Sequence, residues 1–354
     1  MNNNIRIGLF LLTVLSISAC GKNTDQDNNN QEPEKEIPIV DFHTEKQAAY
    51  LNDFFEDVGY YANGTEELSK PKGYEITYDN PDNLLYKIDL QSDVDNRSFN
   101  ARDNSFTFNN LYLNTKYHYK VSANSGVVIE NDFYTTNIAP RNIDVDGVTN
   151  FRDFGGHLTN DNKYTKQGMI YRSARFNQNG QKTALITSNG KKTVVNELHI
   201  KSEIDLRLTS NNETGGITKS VIDESVQYFS VPMQWENDMI TENEQELKHL
   251  FDIISVETNY PLVFHCSIGT DRTGYVAFIM NALLEVKQEE IYRDYLFSNF
   301  GDIGGSRNPS AITSYLGRFS LYEGITLKEQ VNSYLLSIGV TQTKIDSFLS
   351  IMNK

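Results

Sequence analysis

The sequence of 354 residues contains little cysteine, little tryptophan and little positive charge. It has two cysteines, one tryptophan, and 32 Lys and Arg residues against 47 Asp and Glu residues. Because Cys20 and Cys266 stand in quite different contexts, the sequence does not suggest a structural disulfide. The net charge of −15 and the lack of a basic run predict that nucleic acid is not a partner.

Apolar runs long enough to cross a membrane are also missing from the sequence. The apolar run Ile7–Leu15 follows the weakly positive Arg6, and it is too short to span a bilayer comfortably. The residues before Cys20 are small, so residues 1–19 resemble a bacterial lipoprotein signal that is removed to leave a lipidated Cys20. An ordinary secretory signal or a short anchor is the alternative. The resemblance implies a protein of the bacterial cell envelope or surface, extracytoplasmic and attached to the membrane by lipid alone.

Residues 20–37 are rich in Asn, Gln and Glu without hydrophobic periodicity, which predicts a flexible tether. A domain over residues 38–140 should follow. Thr44 and Gln47 form a capping-box pattern, and the apolar spacing after them predicts an amphipathic helix over 44–57. Beyond it the period changes to two, and short strands are predicted at Tyr74–Tyr78, Leu84–Leu90, Phe106–Phe108, Tyr117–Val121 and Val127–Ile129.

The segment Leu111-x-Leu113-x-x-x-Tyr117-x-x-x-Val121 resembles the tyrosine corner of fibronectin type III domains. Leu113 stands where that motif usually has proline. The resemblance implies a small β-sandwich, in which the aromatic residues form the core rather than a ligand platform. A binding role for this module is the alternative.

Residues 141–354 contain the stretch that predicts chemistry. Leu262–Phe264 is a short apolar run typical of a buried parallel strand, and an apolar helix without proline begins near Arg272. The loop between them contains Cys266 and, six positions later, Arg272. A loop of this length can turn its backbone N–H groups inward to form an anion nest, and the helix N-terminus adds positive potential.

In that environment the Cys266 thiol should ionise at neutral pH, because positive surroundings lower a cysteine pKa to roughly 3.5–7.5. The planar guanidinium of Arg272 can bind two phosphate oxygens at once. The hydroxyl of Thr273 can stabilise the sulfur, and His265 is expected to fix the loop without touching substrate. The pattern predicts a sulfur nucleophile under a phosphate cradle, which forms a phosphocysteine that water later hydrolyses. A buried structural cysteine is the alternative for a lone Cys.

The motif His265-Cys266-x5-Arg272-Thr273 resembles the signature of cysteine-dependent protein tyrosine phosphatases. Its fuller form, His-Cys-x-x-Gly-x-Asp-Arg-Thr-Gly, is similar to a bacterial and fungal branch that includes secreted tyrosine and phosphoinositide phosphatases. Segments that match this branch run through about residues 141–354: Asn150–Gly156, Gly168–Ser173, Ile204–Arg207 ahead of Glu213, and Ile291–Asn299.

The resemblance implies an α/β cysteine-phosphatase fold, with a central, mostly parallel sheet, and a phosphate pocket formed by the signature loop. The residues that it assigns to substrate binding are Ser267, Ile268, Gly269, Thr270 and Thr273, while His265 and Gly274 support the loop. Many members carry lysine at the position of Thr270. Its absence favours phosphotyrosine proteins or peptides over phosphoinositides as substrates.

The leaving phenolate needs a proton, so an acid is expected near the pocket. Asp271 lies in the loop beside Arg272 and matches the branch signature. Asp205 lies at a predicted strand end, and its alternative role is that of a buried ion-pair partner. Asp238 lies ahead of Cys266, in the region where many tyrosine phosphatases carry a mobile acid loop. We favour Asp271, then Asp205.

The sequence therefore predicts a phosphotyrosine phosphatase that requires no cofactor and no metal, since no His, Asp and Glu cluster has ligand spacing. A dual-specificity or phosphoinositide phosphatase is the first alternative. A surface adhesion protein that uses its β-sandwich is the alternative from a different class, and the intact nucleophile loop favours an enzyme.

Overall fold

The computed structural model describes residues 36–353, so the predicted signal 1–19, Cys20 and most of the predicted tether lie outside the described residues. The strands are β1 Ile39–Val40, β2 Tyr74–Thr77, β3 Tyr86–Gln91, β4 Asn96–Ala101, β5 Ser105–Phe108, β6 Lys116–Ala123, β7 Gly126–Thr135, β8 Arg152–Asp153, β9 Ile170–Ser173, β10 Ser202–Asp205, β11 Gln227–Ser230 and β12 Leu262–His265. The helices are α1 Glu45–Leu51, α2 Ser188–Lys192, α3 Met239–Glu242, α4 Glu244–Ile254, α5 Asp271–Leu283, α6 Gln288–Phe297, α7 Ser310–Phe319, α8 Leu327–Ser337 and α9 Gln342–Asn353. Over 36–353, no helix is both long enough and apolar enough to cross a membrane.

The first seven strands form two sheets that share one apolar core. The larger sheet has the order β1-β7-β6-β3-β4, and β2 pairs with β5 in the smaller one. Ile76 and Phe108 from the small sheet lie in the same cluster as Ile88, Tyr117 and Phe133 from the large sheet. The Tyr117 hydroxyl accepts the backbone N–H of Tyr112 at 3.0 Å. The likeness to a fibronectin type III domain stays a prediction.

Several expectations for this region differ from the structure. The short strand β1 was not predicted, and β7 continues to Thr135, beyond the predicted Val127–Ile129. Strand β4 was not predicted, because Phe99 is its single large apolar residue and no alternation shows in the sequence. The predicted helix 44–57 is too long: the capping box of Thr44 and Gln47 is present, but α1 ends at Leu51. Asn52 is the C-cap, and both its backbone N–H and its side chain donate to the carbonyl of Ala48.

The central sheet of the second part is mostly parallel, as the sequence predicts. Its order is β11-β10-β12-β9-β8, with parallel pairing from β11 to β9 and an antiparallel edge pair of β9 with β8. Asp205, His265 and Ser173 end neighbouring strands in register. The segments that follow these three residues therefore leave the sheet at one edge, which is where α/β proteins place their sites.

Helix α5 begins directly after the loop that follows β12, and all of its residues from 272 to 283 are buried. This fits the sequence, since the helix is apolar on every face and has no proline. Tyr50 and Leu51 of α1 also belong to the large apolar core around α5, so the first helix packs on the second part of the chain rather than between the two N-terminal sheets. The buried Arg141 adds a polar link, donating to the carboxylate of Asp153 and to the carbonyl of Leu111.

Candidate active site

The loop after β12 turns at Gly269, which has a φ of +72°. A Cβ at this position would lie 2.4 Å from the carbonyl oxygen of Ser173. Any side chain would therefore meet both an unfavourable backbone conformation and a collision with the end of β9. Glycine allows the loop to curl against the edge of the sheet.

The carbonyls of the loop are held on its outer side by long side chains. Asn150 donates to the carbonyls of Ile268 and Gly269 at 3.0 and 3.2 Å, and Arg175 donates to that of Ser267 at 2.9 Å. In a trans peptide the N–H of the next residue points opposite to the carbonyl. The N–H groups of residues 268, 269 and 270 therefore point away from these donors. The N–H of Ile268 is directed at the Cys266 sulfur in the hollow of the loop, and the anion nest stays a prediction.

Cys266 lies at the bottom of this hollow and is 2% exposed. Burial by itself disfavours the thiolate, but the charge of Arg272 and the polar groups of Thr273 and Ile268 outweigh it and hold the pKa of Cys266 below its usual range. The hydroxyl oxygen of Thr273 is buried and bonds to no nitrogen or oxygen within the described residues. The hydroxyl is therefore available to donate a hydrogen bond to the sulfur of Cys266. The direction of this shift is the one that the sequence predicts, and ionisation of Cys266 at neutral pH stays a prediction.

Arg272 occupies the first turn of α5 and is 4% exposed. Its guanidinium donates to Glu213 at 2.7 and 3.2 Å and also lies 3.4 Å from the hydroxyl of Ser267. The charge of Arg272 helps to hold the pKa of Glu213 below its ordinary value, against the opposing effect of burial. The sequence marks Glu213 through the family resemblance alone. The structure places it on Arg272, to which the sequence assigns phosphate binding, and it fixes the plane of the guanidinium.

Behind the loop, one buried carboxylate is shared by two arginines. Asp294 of α6 pairs with Arg152 at 2.7 Å and with Arg172 at 2.5 Å. Arg172 also donates to the carbonyl of Gly269, and Arg152 donates to the side-chain oxygen of Asn150. The loop conformation is thus supported by charged groups from β8, β9 and α6, which sequence reasoning could not assign because they lie more than a hundred positions apart.

A second buried network lies under the nucleophile. His265 contacts Glu203 through Nε2 at 2.9 Å and the carbonyl of Cys266 through Nδ1 at 3.1 Å. Burial opposes the imidazolium, but the carboxylates of Asp205 and Glu203 raise the pKa of His265 above its usual value. A protonated ring can donate to both partners, and His265 then fixes the backbone at Cys266 without reaching substrate.

The ligand-capable atoms of Glu203, Asp205 and His265 lie within 4.8 Å of one another. Folding creates this group, and no spacing in the sequence revealed it. Each of these side chains already has a partner in the protein, since Glu203 accepts from Ser220 and Asp205 accepts from Arg207. The donor set therefore fits a charge network, and the expectation of a metal-free enzyme stays a prediction.

The three acid candidates have different surroundings. Asp271 is partly exposed at the start of α5 and forms a two-point ion pair with Arg307 at 2.9 Å for each contact. Asp205 is fully buried and accepts from Arg207 and from the Tyr228 hydroxyl. Its position fits the bracing role that the sequence left open and not proton transfer to a substrate.

Asp238, the third candidate, caps the short helix α3 by accepting the N–H of Ile240 at 3.2 Å. It also pairs with Arg318 at 2.7 Å. This leaves Asp271 as the carboxylate that lies both next to Arg272 in the chain and open to solvent.

Comparison with known proteins points to the same part of the chain. Residues 143–308 match the model of the Tyrosine phosphatase family, a range that contains the loop and its supporting side chains. A Cupriavidus necator protein, whose name assigns it provisionally to the tyrosine-protein phosphatases, is 50% identical over 38 residues; this covers 11% of the chain and 14% of the relative's length.

Among solved structures, TpbA of P. aeruginosa is 16% identical, with a TM-score of 0.31, and the match covers 49% of this chain and 89% of that one. The core catalytic domain of the PP-IP phosphatase Siw14 of S. cerevisiae, in complex with citrate, is also 16% identical, with a TM-score of 0.29 and coverage of 47% and 93%.

Proposed function

We propose that this protein is a cysteine-dependent phosphatase that hydrolyses phosphotyrosine in proteins or peptides. The observation that carries the proposal is the loop itself: its carbonyls are tied outward to Asn150, Arg172 and Arg175, so its N–H groups converge over a thiol whose pKa is lowered. A tetrahedral dianion fits such a cradle, and Arg272 supplies the matching charge. The family match over residues 143–308 supports the same activity.

In the first step the Cys266 thiolate attacks phosphorus, and the bond from phosphorus to the phenolic oxygen breaks. The leaving oxygen takes a proton from the acid, which we assign to Asp271. The loop N–H groups and Arg272 stabilise the charge that develops on the phosphoryl oxygens. The product of this step is a phosphocysteine and a neutral tyrosine side chain.

In the second step a water molecule attacks the phosphorus of the phosphocysteine, and the sulfur–phosphorus bond breaks. The water gives its proton to the Asp271 carboxylate, which restores the acid, and inorganic phosphate leaves. The sulfur departs as a thiolate, and the charge of Arg272 that lowers the pKa of Cys266 also makes the sulfur a better leaving group.

The proposal includes the location of the enzyme and the nature of its N-terminal part. We place it in the bacterial cell envelope or at the cell surface, held to the membrane by lipid on Cys20. The strands between 39 and 135 are proposed to form a fibronectin type III-like module. The net charge of −15 supports protein substrates over highly phosphorylated lipids, because an acidic protein is repelled by a polyanionic surface.

The test is turnover by Cys266→Ser, measured on a panel of phosphopeptides, inositol phosphates and phosphoinositides. We expect the variant to lose activity on every substrate that the wild type hydrolyses, because a serine hydroxyl is scarcely ionised there, while substrate binding survives. Activity that persists in the purified variant would exclude the cysteine mechanism. EDTA should leave the wild type active; loss of activity that added metal restores would indicate a metallophosphatase. A wild type that hydrolyses phosphoinositides but no phosphotyrosine would support the first alternative.

A further inference from the structure

Trp235 is the single tryptophan of the sequence, and 46% of it is exposed. Its indole has no hydrogen bond and no contact with another aromatic ring within residues 36–353, and it belongs to none of the apolar clusters there. Exposing half of so large an apolar side chain forgoes stabilisation that packing it into either core would give. About half of the indole is therefore open to solvent.

The position of Trp235 relates it to the phosphate cradle. Two residues earlier, Met233 donates its N–H to the carbonyl of Leu206 at 3.1 Å, and its own carbonyl lies 3.4 Å from Nη1 of Arg272. The segment that carries the tryptophan thus passes directly beside the guanidinium that would hold the substrate phosphate.

Both ends of the short segment 235–237 are fixed. On one side, Gln234 is held by the buried Asn243, which accepts its N–H at 2.6 Å and donates to its carbonyl at 3.1 Å. On the other side, Asp238 caps α3 and pairs with Arg318. The backbone at Trp235 is therefore held between two close anchors, two residues from the carbonyl that contacts Arg272.

The depth of the cradle indicates which part of the substrate would lie at the level of Trp235. Cys266 and Arg272 are 2% and 4% exposed, so the phosphate must be carried down to them on a stem. The aromatic ring of phosphotyrosine is a rigid stem with a flat face, and aromatic rings stack favourably on one another. Phosphoserine has no ring, and the ring of an inositol phosphate has no π-face.

We propose that Trp235 forms one wall of the substrate cleft and stacks on the ring of phosphotyrosine, and thereby selects aryl phosphates. The inference rests on the proposed function and names the residue that sets its substrate class. A stacked aromatic pair changes binding by about 3- to 10-fold. The contact is made by the ring of the substrate and not by its phosphate.

The first test compares two peptides of one sequence, carrying phosphotyrosine or phosphoserine, with Trp235→Ala, Trp235→Phe and the wild type. We expect Trp235→Ala to lower the ratio of kcat/KM for phosphotyrosine over phosphoserine by about 3- to 10-fold, mainly through KM, and Trp235→Phe to restore most of the ratio. Ile325→Ala, at a residue 96% exposed and on a different loop, is the control for loss of a surface apolar group. An unchanged ratio in Trp235→Ala would overturn the inference.

The second test uses the fluorescence of the single tryptophan in the Cys266→Ser variant. Excitation at a wavelength that tryptophan absorbs and tyrosine does not makes Trp235 the source of the signal, since it is the single tryptophan. The peptides should contain no tryptophan. We expect a saturable change in emission with the phosphotyrosine peptide and none with the phosphoserine peptide. Phosphotyrosine binding that calorimetry detects while the emission stays constant would place Trp235 outside the cleft, with the proposed activity intact. If the wild type hydrolyses no phosphotyrosine, the proposed function fails and this inference with it.

Discussion

Both carboxylate oxygens of Asp271 lie 2.9 Å from the guanidinium of Arg307, 36 positions further along the chain. Each partner is about a third exposed, so substrate can reach the pair. The phenolic oxygen of Tyr295 also lies near it, 3.5 Å from Oδ1. Arg307 therefore fixes the orientation of the carboxylate to which we assign proton transfer.

The thiol of Cys266 should be alkylated as a thiolate well below the ordinary thiol pKa. The nucleophile is the ionised form, so inactivation by iodoacetamide should rise with pH and level off below the pH range in which a free cysteine titrates. Thr273→Val keeps the shape of the side chain and removes its hydroxyl. Because the hydroxyl favours the thiolate, the inflection of this variant should move to higher pH.

The measurement is the rate of inactivation by iodoacetamide as a function of pH, for the wild type and for Thr273→Val. An equivalent substitution away from the sulfur, Thr313→Val on α7, should leave the inflection where it is in the wild type. If Thr273→Val shows the wild-type inflection, the threonine does not act on the sulfur.

Removal of the buried carboxylate of Asp294 should destabilise the fold strongly. Asp294→Ala leaves Arg152 and Arg172 buried without their shared partner, which costs about 3–5 kcal/mol in the free energy of unfolding. Urea denaturation of the wild type and of Asp294→Ala near neutral pH measures this difference in the free energy of unfolding. The control is Asp252→Ala at the exposed pair with Lys344, where we expect about 1 kcal/mol or less.

The pH dependence of this difference is a further check. Burial raises the pKa of Asp294, but Arg172 and Arg152 outweigh burial, and the folded pKa lies below the ordinary value. The stabilisation from ionised Asp294 is therefore fully present above the unfolded pKa of about 3.9 and is lost as the pH falls through the lower folded value. The gap between wild type and Asp294→Ala should narrow in acid, and a gap that does not depend on pH would contradict the assignment.

The proposed lipid attachment at Cys20 leads to a separate prediction. After expression in a bacterium, Cys20→Ala should shift the protein from the membrane fraction to the soluble fraction, while the activity of the released protein stays unchanged, since the proposed nucleophile is Cys266. Mass spectrometry of the mature N-terminus provides the direct measurement. An unmodified terminus that begins at a residue other than Cys20 would refute the anchor.

The site residues that the sequence could reveal are those that lie next to one another in the chain. The loop from His265 to Gly274 carries its nucleophile, its turn and its arginine within one short stretch, so their spacing alone predicts an anion nest. The N-terminal strands were found wherever apolar residues alternate, and β4 was missed because its side chains are mostly polar.

The supporting residues could not be found in this way. Glu213 meets Arg272 across 59 positions, and Asp294 meets Arg152 across 142. Such pairs depend on which strands and helices become neighbours, and a charged residue that will be buried looks the same in a sequence as one on the surface. The network under Cys266 could not be found from the sequence for the same reason, because Glu203 and His265 come together only when β10 pairs with β12.

The assignment of Asp271 as the acid can be tested by the dependence of the rate on the leaving group. A nitrophenolate leaves almost unaided, whereas an alkyl or unsubstituted phenyl oxygen needs a proton in the transition state. General acid catalysis contributes typically ~10²–10⁴-fold. Asp271→Asn should therefore slow the poor leaving groups by a factor in that range, with a much smaller effect on the good ones.

Loss of the Asp271 charge also leaves Arg307 without its carboxylate partner and can alter phosphate binding. Comparison of leaving groups within one variant removes most of that effect, because the phosphoryl group is the same in every substrate. Asp205→Asn should slow all substrates alike, since Asp205 is buried against Arg207 and braces the sheet edge. Asp238→Asn should show no leaving-group dependence either, because Asp238 caps α3 and pairs with Arg318. A leaving-group dependence that appears in Asp205→Asn or Asp238→Asn and is absent from Asp271→Asn would transfer the role of the acid to that residue.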